Sequence, residues 1–590
     1  MVKIHNSSAH SDSTLITEMF KALLPAQILS SATATLSSLI NRLVIGNCLP
    51  AAALVALGFV TPMIAILGAI SSVVAGGARI LCGRHMGRGE VKEQDYVFTA
   101  SIIVLITVGI ILTFAAFSFA TPLAMLFGAK GVTTAETARY IQGLAIGIIP
   151  TIMVPNFMIF LQMGNESNYA FASSIVLAVC SLGFSLFNVK LGGGVFGMGL
   201  AASASQLVTL LFLAVKFVIN KDLMRFDMKG VTAKMRAEMI VLGSPTALAA
   251  LLYSVRNIVI NSTALNVGGA DAVTALAVLN SVCGLFDAFN IGVGAVFLML
   301  SSVFVGEKDE LAFDRLLHKG LFIGEILGIG KVIIIIVFGT LIVSLFGVRG
   351  EVASMAYELL FWYGVCMPIN IITLALVNPY QAFGRIGFVN IFYIFNAVIA
   401  PLACCFLLSP LIGVTGIWIC YPVAEVLSLV IILGYVIKKN KARPKKLIDF
   451  LCIDKDFSKG KIISLSIKNM NDVVNVSEQL IEFCKTNGID DRRSYICGLC
   501  LEEMAGNVVE YGFSEGKRKN YSVELFVCCN DGKLLMRMRN NTSKFDPRTK
   551  LTPFDPENPC KNIGIRMVTK LAKDMNYQAS FGMNVLSIEL

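Results

Sequence analysis

The sequence predicts an all-α polytopic membrane protein of about twelve transmembrane helices in two six-helix bundles, followed by a soluble α+β domain. Three observations predict it. Asp, Glu, Lys and Arg number 45 in residues 1–440 but 43 in residues 441–590 alone. The first part is therefore roughly 10% charged, far below the ~25% of a soluble domain, and the second about 29%. Within the first part, runs such as residues 101–120 (SIIVLITVGIILTFAAFSFA) carry no charge at all. A helix needs about 20 such residues to cross lipid, where nothing else satisfies its backbone. Beyond residue 460 the pattern changes to alternating strands and amphipathic helices. A single soluble enzyme is excluded.

Candidate spans lie near 20–45, 51–76, 97–120, 138–162, 170–189, 197–219, 238–263, 272–303, 320–347, 354–378, 387–408 and 411–437. The chain then divides into a tail (1–17), a first bundle (18–220), a linker (221–237), a second bundle (238–440), a basic linker (441–458) and the α+β domain (459–590). Basic residues set the orientation. Arg79, Arg84, Arg88 and Lys92, the cluster from Lys216 to Arg236, Lys308, Arg315, Lys319, Arg385 and the lysines of 438–446 share one side. The opposite loops offer only Lys130, Arg139, Lys190 and Arg349. The positive-inside rule puts the rich side, with both termini, in the cytoplasm.

The formal charge of +10 might suggest nucleic acid, but the excess borders apolar runs, so membrane lipid is the partner it implies and nucleic acid is not. Cys180, Cys283 and Cys366 stand alone inside apolar runs, as reduced packing residues do. Cys497-Gly-Leu-Cys500 has redox spacing but lies in a helical pattern, and the soluble part contains no histidine, which argues against a metal site. His5, His10, His85 and His318 form no motif. The first 17 residues are polar, so no cleavable signal is expected.

The halves repeat. Pro25 precedes Asn41 by sixteen residues, as Pro245 precedes Asn261, and Gly87-Arg-Gly-Glu90 answers to Gly306-Glu-Lys-Asp309 at an offset of 219. Two like bundles related by an axis along the membrane normal suit a carrier that works by alternating access around a site between them.

LLPAQILSS…SLINRLVIGNCLPAAALVALGF, GGARILCGRHMGRGEVKEQDYVF, FLQMGNESNYAFASS and FGMGLAASASQL resemble multidrug and toxic compound extrusion (MATE) transporters, over nearly all of residues 15–440. The resemblance implies a V-shaped pair of bundles in a bacterial inner membrane that exports organic, often cationic, compounds in exchange for Na⁺ or H⁺. Where many members carry an acidic residue in the first span, this chain has Asn41 followed by Arg42.

Ionisable side chains inside a span cost about 2.5–3.5 kcal/mol on insertion scales, which makes each a functional candidate. They are Arg42, Arg256, Asp287, Glu325, Lys331 and Glu425; Glu358 sits near a span end and reads as interfacial. The carboxylates Asp287, Glu325 and Glu425, all in the second bundle, are the expected coupling-ion or substrate groups, with Arg42, Arg256 and Lys331 as counter-ions. The plain alternative pairs Asp287 with Arg256 and Glu325 with Lys331, neutralising both. Pro150 and Pro155 flank five residues of the fourth span and mark either a hinge or a static kink.

In the soluble part, strands are expected at 461–468, 521–529, 533–539, 576–581 and 584–590, and helices at 471–486, 491–512 and 562–574. Asn530-Asp-Gly532 signals a hairpin. Glu503 and Asn507, four apart on one helical face, can orient a hydroxyl and hold Mg²⁺. LEEMAGNVVEYGF, RNNTSKFDP and NIGIRMVTKLAKDMNYQ resemble the histidine-kinase-like ATPase fold of anti-sigma-factor serine kinases, over about 460–590. By that resemblance Glu503 is the catalytic carboxylate and Asn507 the metal ligand of a Mg-ATP site that includes Asn540, Asp546 and Gly564. Asn540 stands where the family has an aspartate, Thr542 where it has a glycine, and Asn562 replaces a lid glycine.

The expectation is a secondary exporter of small organic compounds, driven by Na⁺ or H⁺ and carrying an ATPase-like tail that regulates it or binds a cytoplasmic regulatory protein. No Walker phosphate loop is present to let ATP drive transport. A membrane signalling protein with a serine-kinase or partner-switching tail, and a flippase for lipid-linked precursors, remain open at this point.

Overall fold

The computed structural model describes residues 14–48, 51–454, 457, 460–513, 521–530, 532–550 and 563–590. The first bundle comprises α1 (Thr14–Cys48), α2 (Ala51–Arg88), α3 (Val91–Ser118), the short α4 (Ala120–Leu126), α5 (Val132–Ala145), α6 (Ile148–Met163), α7 (Ser167–Leu191) and α8 (Gly194–Ile219). α5 and α6 form one apolar length bent by 48°. The bend follows from Gly147, whose Cβ would lie 2.4 Å from Ser203 Oγ of α8. That hydroxyl donates to the Gly143 carbonyl at 2.8 Å and so takes up a carbonyl beside the break. Pro150 falls in the first turn of α6, where a missing N–H costs nothing, and Pro155 lies further inside the helix. The stretch between the two prolines is helical, and the bend precedes it.

The second bundle comprises α9 (Ala233–Glu307), α10 (Glu310–Ser344), α11 (Gly350–Ala382), α12 (Ile386–Ile394), α13 (Ala400–Ile412) and α14 (Val414–Asn440). A straight helix of 75 residues would be about 110 Å long. Yet Met239 near the start of α9 and Ser302 near its end both press on α2, at Gly77 and Gly83. The chain folds back at Gly269, whose φ of 63° and ψ of −155° suit a residue without Cβ. α9 is thus two antiparallel arms.

Among the described residues nine helices are long and apolar enough to span a membrane, or ten if the bent α5–α6 pair counts as one span. The sequence reading expected about twelve. The difference arises at α9, one helix in that count although it folds back, and at α1, which is not among the nine and whose side chains from 37 to 48 lie outside the described residues.

The tail folds as β1 (Lys461–Ile467), α15 (Met470–Thr486), α16 (Asp491–Asn507), β2 (Val523–Asn530), β3 (Lys533–Asn540), α17 (Ile563–Leu571), β4 (Asp574–Ser580) and β5 (Met583–Glu589). Asn469 and Asp490 cap the first two of these helices by accepting from the N–H of Asp472 and Arg493. The strands form one antiparallel sheet in the order β1-β2-β3-β5-β4. Alternate residues (Val523, Leu525 and Val527 of β2; Leu534, Met536 and Met538 of β3) pack with the helices in the tail's own core. The helix expected over 562–574 stops at Leu571 because β4 begins at Asp574, and the one expected over 491–512 widens after Asn507 into a single loose turn. The other sheet face rests on the helix ends of both bundles. That side of the membrane domain is called the tail face below.

Candidate transport cavity and tail site

Between the bundles lies a cavity of about 880 Å³, lined mainly by α1, α2, α6 and α8, with single residues or pairs from α5 and α7, on one side and by both arms of α9, α11 and α14, with residues of α12 and α13, on the other. It takes in Asp287, Glu425, Arg256 and Pro155 from the sequence-derived candidates, but not Glu325, Lys331 or Pro150. Asn41 and Arg42 lie in α1 among side chains outside the described residues.

The second-bundle wall is a polar network built on helical spacing. Asn370 and Thr373, three apart on α11, both donate to the Glu425 carboxylate, at 3.0 and 3.1 Å. Asn370 in turn accepts from Asn290 at 2.9 Å, and Asn290 accepts from the Lys331 ammonium of α10. Asp287, three residues before Asn290, accepts from the Tyr363 hydroxyl at 2.5 Å. The Glu425 carboxylate and the Lys331 ammonium thus meet through two asparagines, with Asp287 one helical turn away and held by Tyr363. Each buried charge is hydrogen-bonded, as burial in a low dielectric demands.

Neither expected ion pair occurs among the described contacts. Arg256 stacks instead on Tyr253 and Tyr421, 4.8 and 5.4 Å from its guanidinium carbon to the ring centroids, and Tyr253 donates to Asn396 at 3.1 Å. Asn396 sits in a wider helical turn between α12 and α13, a form that often marks functional positions. Glu325 is not among the residues lining the cavity, and one of its oxygens has no hydrogen-bond partner.

The first-bundle wall is different. Gln27 donates to Gln162, Ser71 donates to the Ile152 carbonyl at 2.9 Å, and Gln206 and Thr151 face the space. No carboxylate from this bundle is among the described lining residues; its one charge is Arg79, which the sequence reading had counted only as an orientation marker. The sequence reading missed Arg79, Asn290, Asn370, Asn396, Tyr253 and Tyr363. Scanning spans for asparagine and tyrosine, and not for ionisable groups alone, would have found the last five.

In the tail, Glu503 and Asn507 come together with Gly564. Gly564 approaches so closely that a Cβ would sit 1.8 Å from the Glu503 carboxylate, and the Asn507 amide donates back to the Glu503 carbonyl at 2.6 Å. Asn540 and Asp546 are engaged elsewhere. The Asn540 side-chain oxygen accepts from Thr542 Oγ1 at 2.7 Å and Asn584 at 2.9 Å, and Asp546 pairs with Arg548 at 2.9 Å. Asn562 lies outside the described residues. No metal-holding cluster of three or more His, Cys, Asp or Glu occurs among the described residues. The oxygen that would read adenine is already satisfied by the protein, so these residues fit Mg-ATP poorly.

The MatE family model matches this chain twice, at residues 26–187 and 245–406, which together exceed half its length. The chain belongs to the MATE family. The two matches start 219 residues apart, the offset already seen between Gly87-Arg-Gly-Glu90 and Gly306-Glu-Lys-Asp309. The probable multidrug resistance protein YoeA of Bacillus subtilis (strain 168) is 25% identical over 429 residues, covering 69% of this chain and 90% of its own. The multidrug export protein MepA of Staphylococcus aureus (strain bovine RF122 / ET3-1) is 23% identical over 385 residues, covering 63% of this chain and 82% of its own. A solved MATE transporter in an outward-facing conformation superposes with a TM-score of 0.67 at 18% identity, over 70% of this chain and 94% of that one. A transporter of the MOP superfamily from Pyrococcus furiosus Vc1, described as having a binding pocket of reverse polarity, gives 0.67 at 18% identity, over 74% and 97%. This MATE chain extends about 180 residues beyond the second family match, and that extension includes the whole tail.

Proposed function

We propose that the chain is a secondary exporter of organic, cationic or amphipathic compounds, with the tail face in the cytoplasm of a bacterial cell and Na⁺ or H⁺ entering as the compound leaves. One observation carries the reading: Asp287 and Glu425 share a cavity bounded by both repeats. Both carboxylates sit in the second-bundle wall: Glu425 is joined through Asn370 and Asn290 to Lys331, and Asp287 lies one helical turn before Asn290, so a cation or proton taken up at one alters the polar wall beside the other. The aromatic and amide groups of the remaining wall suit flat, amphipathic substrates. The names of YoeA and MepA point the same way. Uphill efflux of a fluorescent cation from proteoliposomes under an imposed Na⁺ or proton gradient tests this; the absence of gradient-dependent flux would overturn it.

For the tail, the order of its strands and helices and the nearness of Glu503, Asn507 and Gly564 support a histidine-kinase-like ATPase fold. The engaged Asn540 oxygen supports a regulatory role without nucleotide turnover.

A further inference from the structure

The face of the tail sheet turned away from its own helices carries charges and amides, and it is buried. Arg537 and Arg539 of β3 are only 4% and 6% exposed, as are Glu307 and Asp309 at 4% and 5%. Arg539 bonds Glu307 and lies 3.3 Å from Asp309, while Arg537 lies 3.7 Å from Glu307 and donates to the Gly87 carbonyl at 3.0 Å. One strand therefore grips both copies of the duplicated segment, residues 87–90 of the first bundle and 306–309 of the second.

The two grips differ in chemistry. Toward the second bundle the sheet makes ion pairs: the cluster above, and Glu524 of β2 with Arg315 at 3.4 Å. Arg385 adds two bonds of 2.6 Å to the carbonyls of Leu451 and Cys452 in the linker. Toward the first bundle the bonds are almost all to neutral groups. Asn576 donates to the Gly89 carbonyl, Gln578 to Gln94 at 3.5 Å, and the Gly582 N–H to Asn165 at 2.6 Å. Asn541 donates to Glu18 at 2.9 Å, and among the described residues the one ion pair on this side, Lys544 with Asp222 of the linker that follows the first bundle, is exposed and so contributes little.

Above this face the bundles touch backbone to backbone. Cβ atoms added at Gly77, Gly87 and Gly306 would fall 1.7, 2.1 and 2.1 Å from the carbonyl oxygens of Met239, Val303 and Arg84. The cavity lining on α2 stops at Arg79, nine residues short of the helix end, which leaves a closed layer about 13 Å thick. For the cavity to open on the tail face, residues 87–90 and 306–309 must part.

We propose that the tail sheet is a clamp across the tail-face gate, carried by the second bundle through its ion pairs, and that the gate opens only when the sheet releases the first bundle. The first-bundle side is the one that can let go: apart from the Arg537–Gly87 and Asn541–Glu18 bonds its buried contacts are neutral hydrogen bonds worth about 1 kcal/mol each, whereas separating the buried ion pairs on the other side would strand uncompensated charge. The proposal rests on alternating access but not on what is carried.

The test reads gate opening directly, by hydrogen–deuterium exchange of the full chain in nanodiscs without substrate or ion gradient, so failure of the transport reading leaves it interpretable. Asn576→Asp replaces the donor to the Gly89 carbonyl with a carboxylate, setting acceptor against acceptor. It should speed exchange about tenfold at β4 and at residues 83–90, with β2 and β3 protected as before. Asn576→Gln, which keeps an amide donor, should hold exchange close to the slow rate. The unchanged protection of β2 and β3 shows that the tail remains folded; should Asn576→Asp prevent folding, Gln578→Leu removes the bond to Gln94 without adding charge. Faster exchange at β4 without any change at 83–90 would overturn the proposal, as would exchange in Asn576→Gln as fast as in Asn576→Asp.

Discussion

Gly77→Ala tests the gate from inside the membrane domain. The new Cβ would lie 1.7 Å from the Met239 carbonyl oxygen and 2.6 Å from its carbon. Carbon–oxygen contacts of this kind settle at about 3.3 Å, so α2 and the first arm of α9 must separate by about 1.6 Å. The obstacle is backbone on both sides, and no rotamer can relieve it. Overpacking of this kind costs about 1–3 kcal/mol, which displaces a two-state gate by roughly 5-fold to 150-fold toward the state open on the tail face. Gly243→Ala strikes the same crossing from the other helix, 1.7 Å from the Val73 carbonyl oxygen. One separation relieves both clashes, so the double variant should cost less than the two single variants added. Gly58→Ala and Gly68→Ala, on the same helix with nothing within 4 Å, are the controls and should leave the gate alone. Exchange mass spectrometry of residues 73–90, read beside thermal unfolding, measures the effect. Unchanged exchange in Gly77→Ala would show that the closed contact is not what holds the gate, and the reasoning would fail.

Asp287→Asn should abolish gradient-driven export while the protein stays folded in the membrane, and wild-type efflux by that variant would end the coupling role. Glu425→Gln turns an acceptor of the Asn370 and Thr373 hydrogen bonds into a group that is half donor, and should cost about 1–3 kcal/mol in thermal stability besides lost export, whereas Glu325→Gln should leave export intact. Titration of the full chain with millimolar Mg-ATP should give no heat, because the Asn540 oxygen is already taken by Thr542 and Asn584; a saturable signal would refute that. The N–H groups of Lys446 and Lys445 hold the exposed Asp449 carboxyl below the usual carboxylate range. Its support of the turn at 447–451 is therefore present at neutral pH and lost only as pH falls through that lowered value, and Asp449→Asn should make the linker lysines easier for trypsin to reach at any pH above it.

Much of the architecture was legible because lipid leaves few choices. A run such as 101–120 has to be helical, and α3 covers all of it up to Ser118. The tail was legible for a different reason: period-2 alternation in β2 and β3 and the Asn530-Asp-Gly532 turn define a hairpin locally, and register follows from the pleat. The carboxylates Asp287 and Glu425 stood out because charge in a span is costly. Their partners did not. Asn290 and Asn370 are cheap enough in a helix to pass unnoticed, and only the facing of α9 against α11 makes them a bridge. The bend before Pro150 escaped for a similar reason, since Gly147 bends there because Ser203 lies opposite, and Ser203 is 56 residues away.

The tail's second face shows where local pattern stops. Leu534, Met536 and Met538 alternate with Leu535, Arg537 and Arg539, which reads as a strand with one face in a core and one in water. The periodicity is right about the faces and silent about what covers the second. Two arginines that a soluble domain would solvate are buried here against the acidic residues of 306–309, whose counterpart at 87–90 lies under the same strand. The duplication gives this contact its consequence. A sheet bound to a single loop would report only that loop, whereas a sheet bound to both copies spans the two points that alternating access must move apart. On the proposed alternating access its grip would vary with the state of the gate, which is how a tail outside the repeat would govern when the carrier turns.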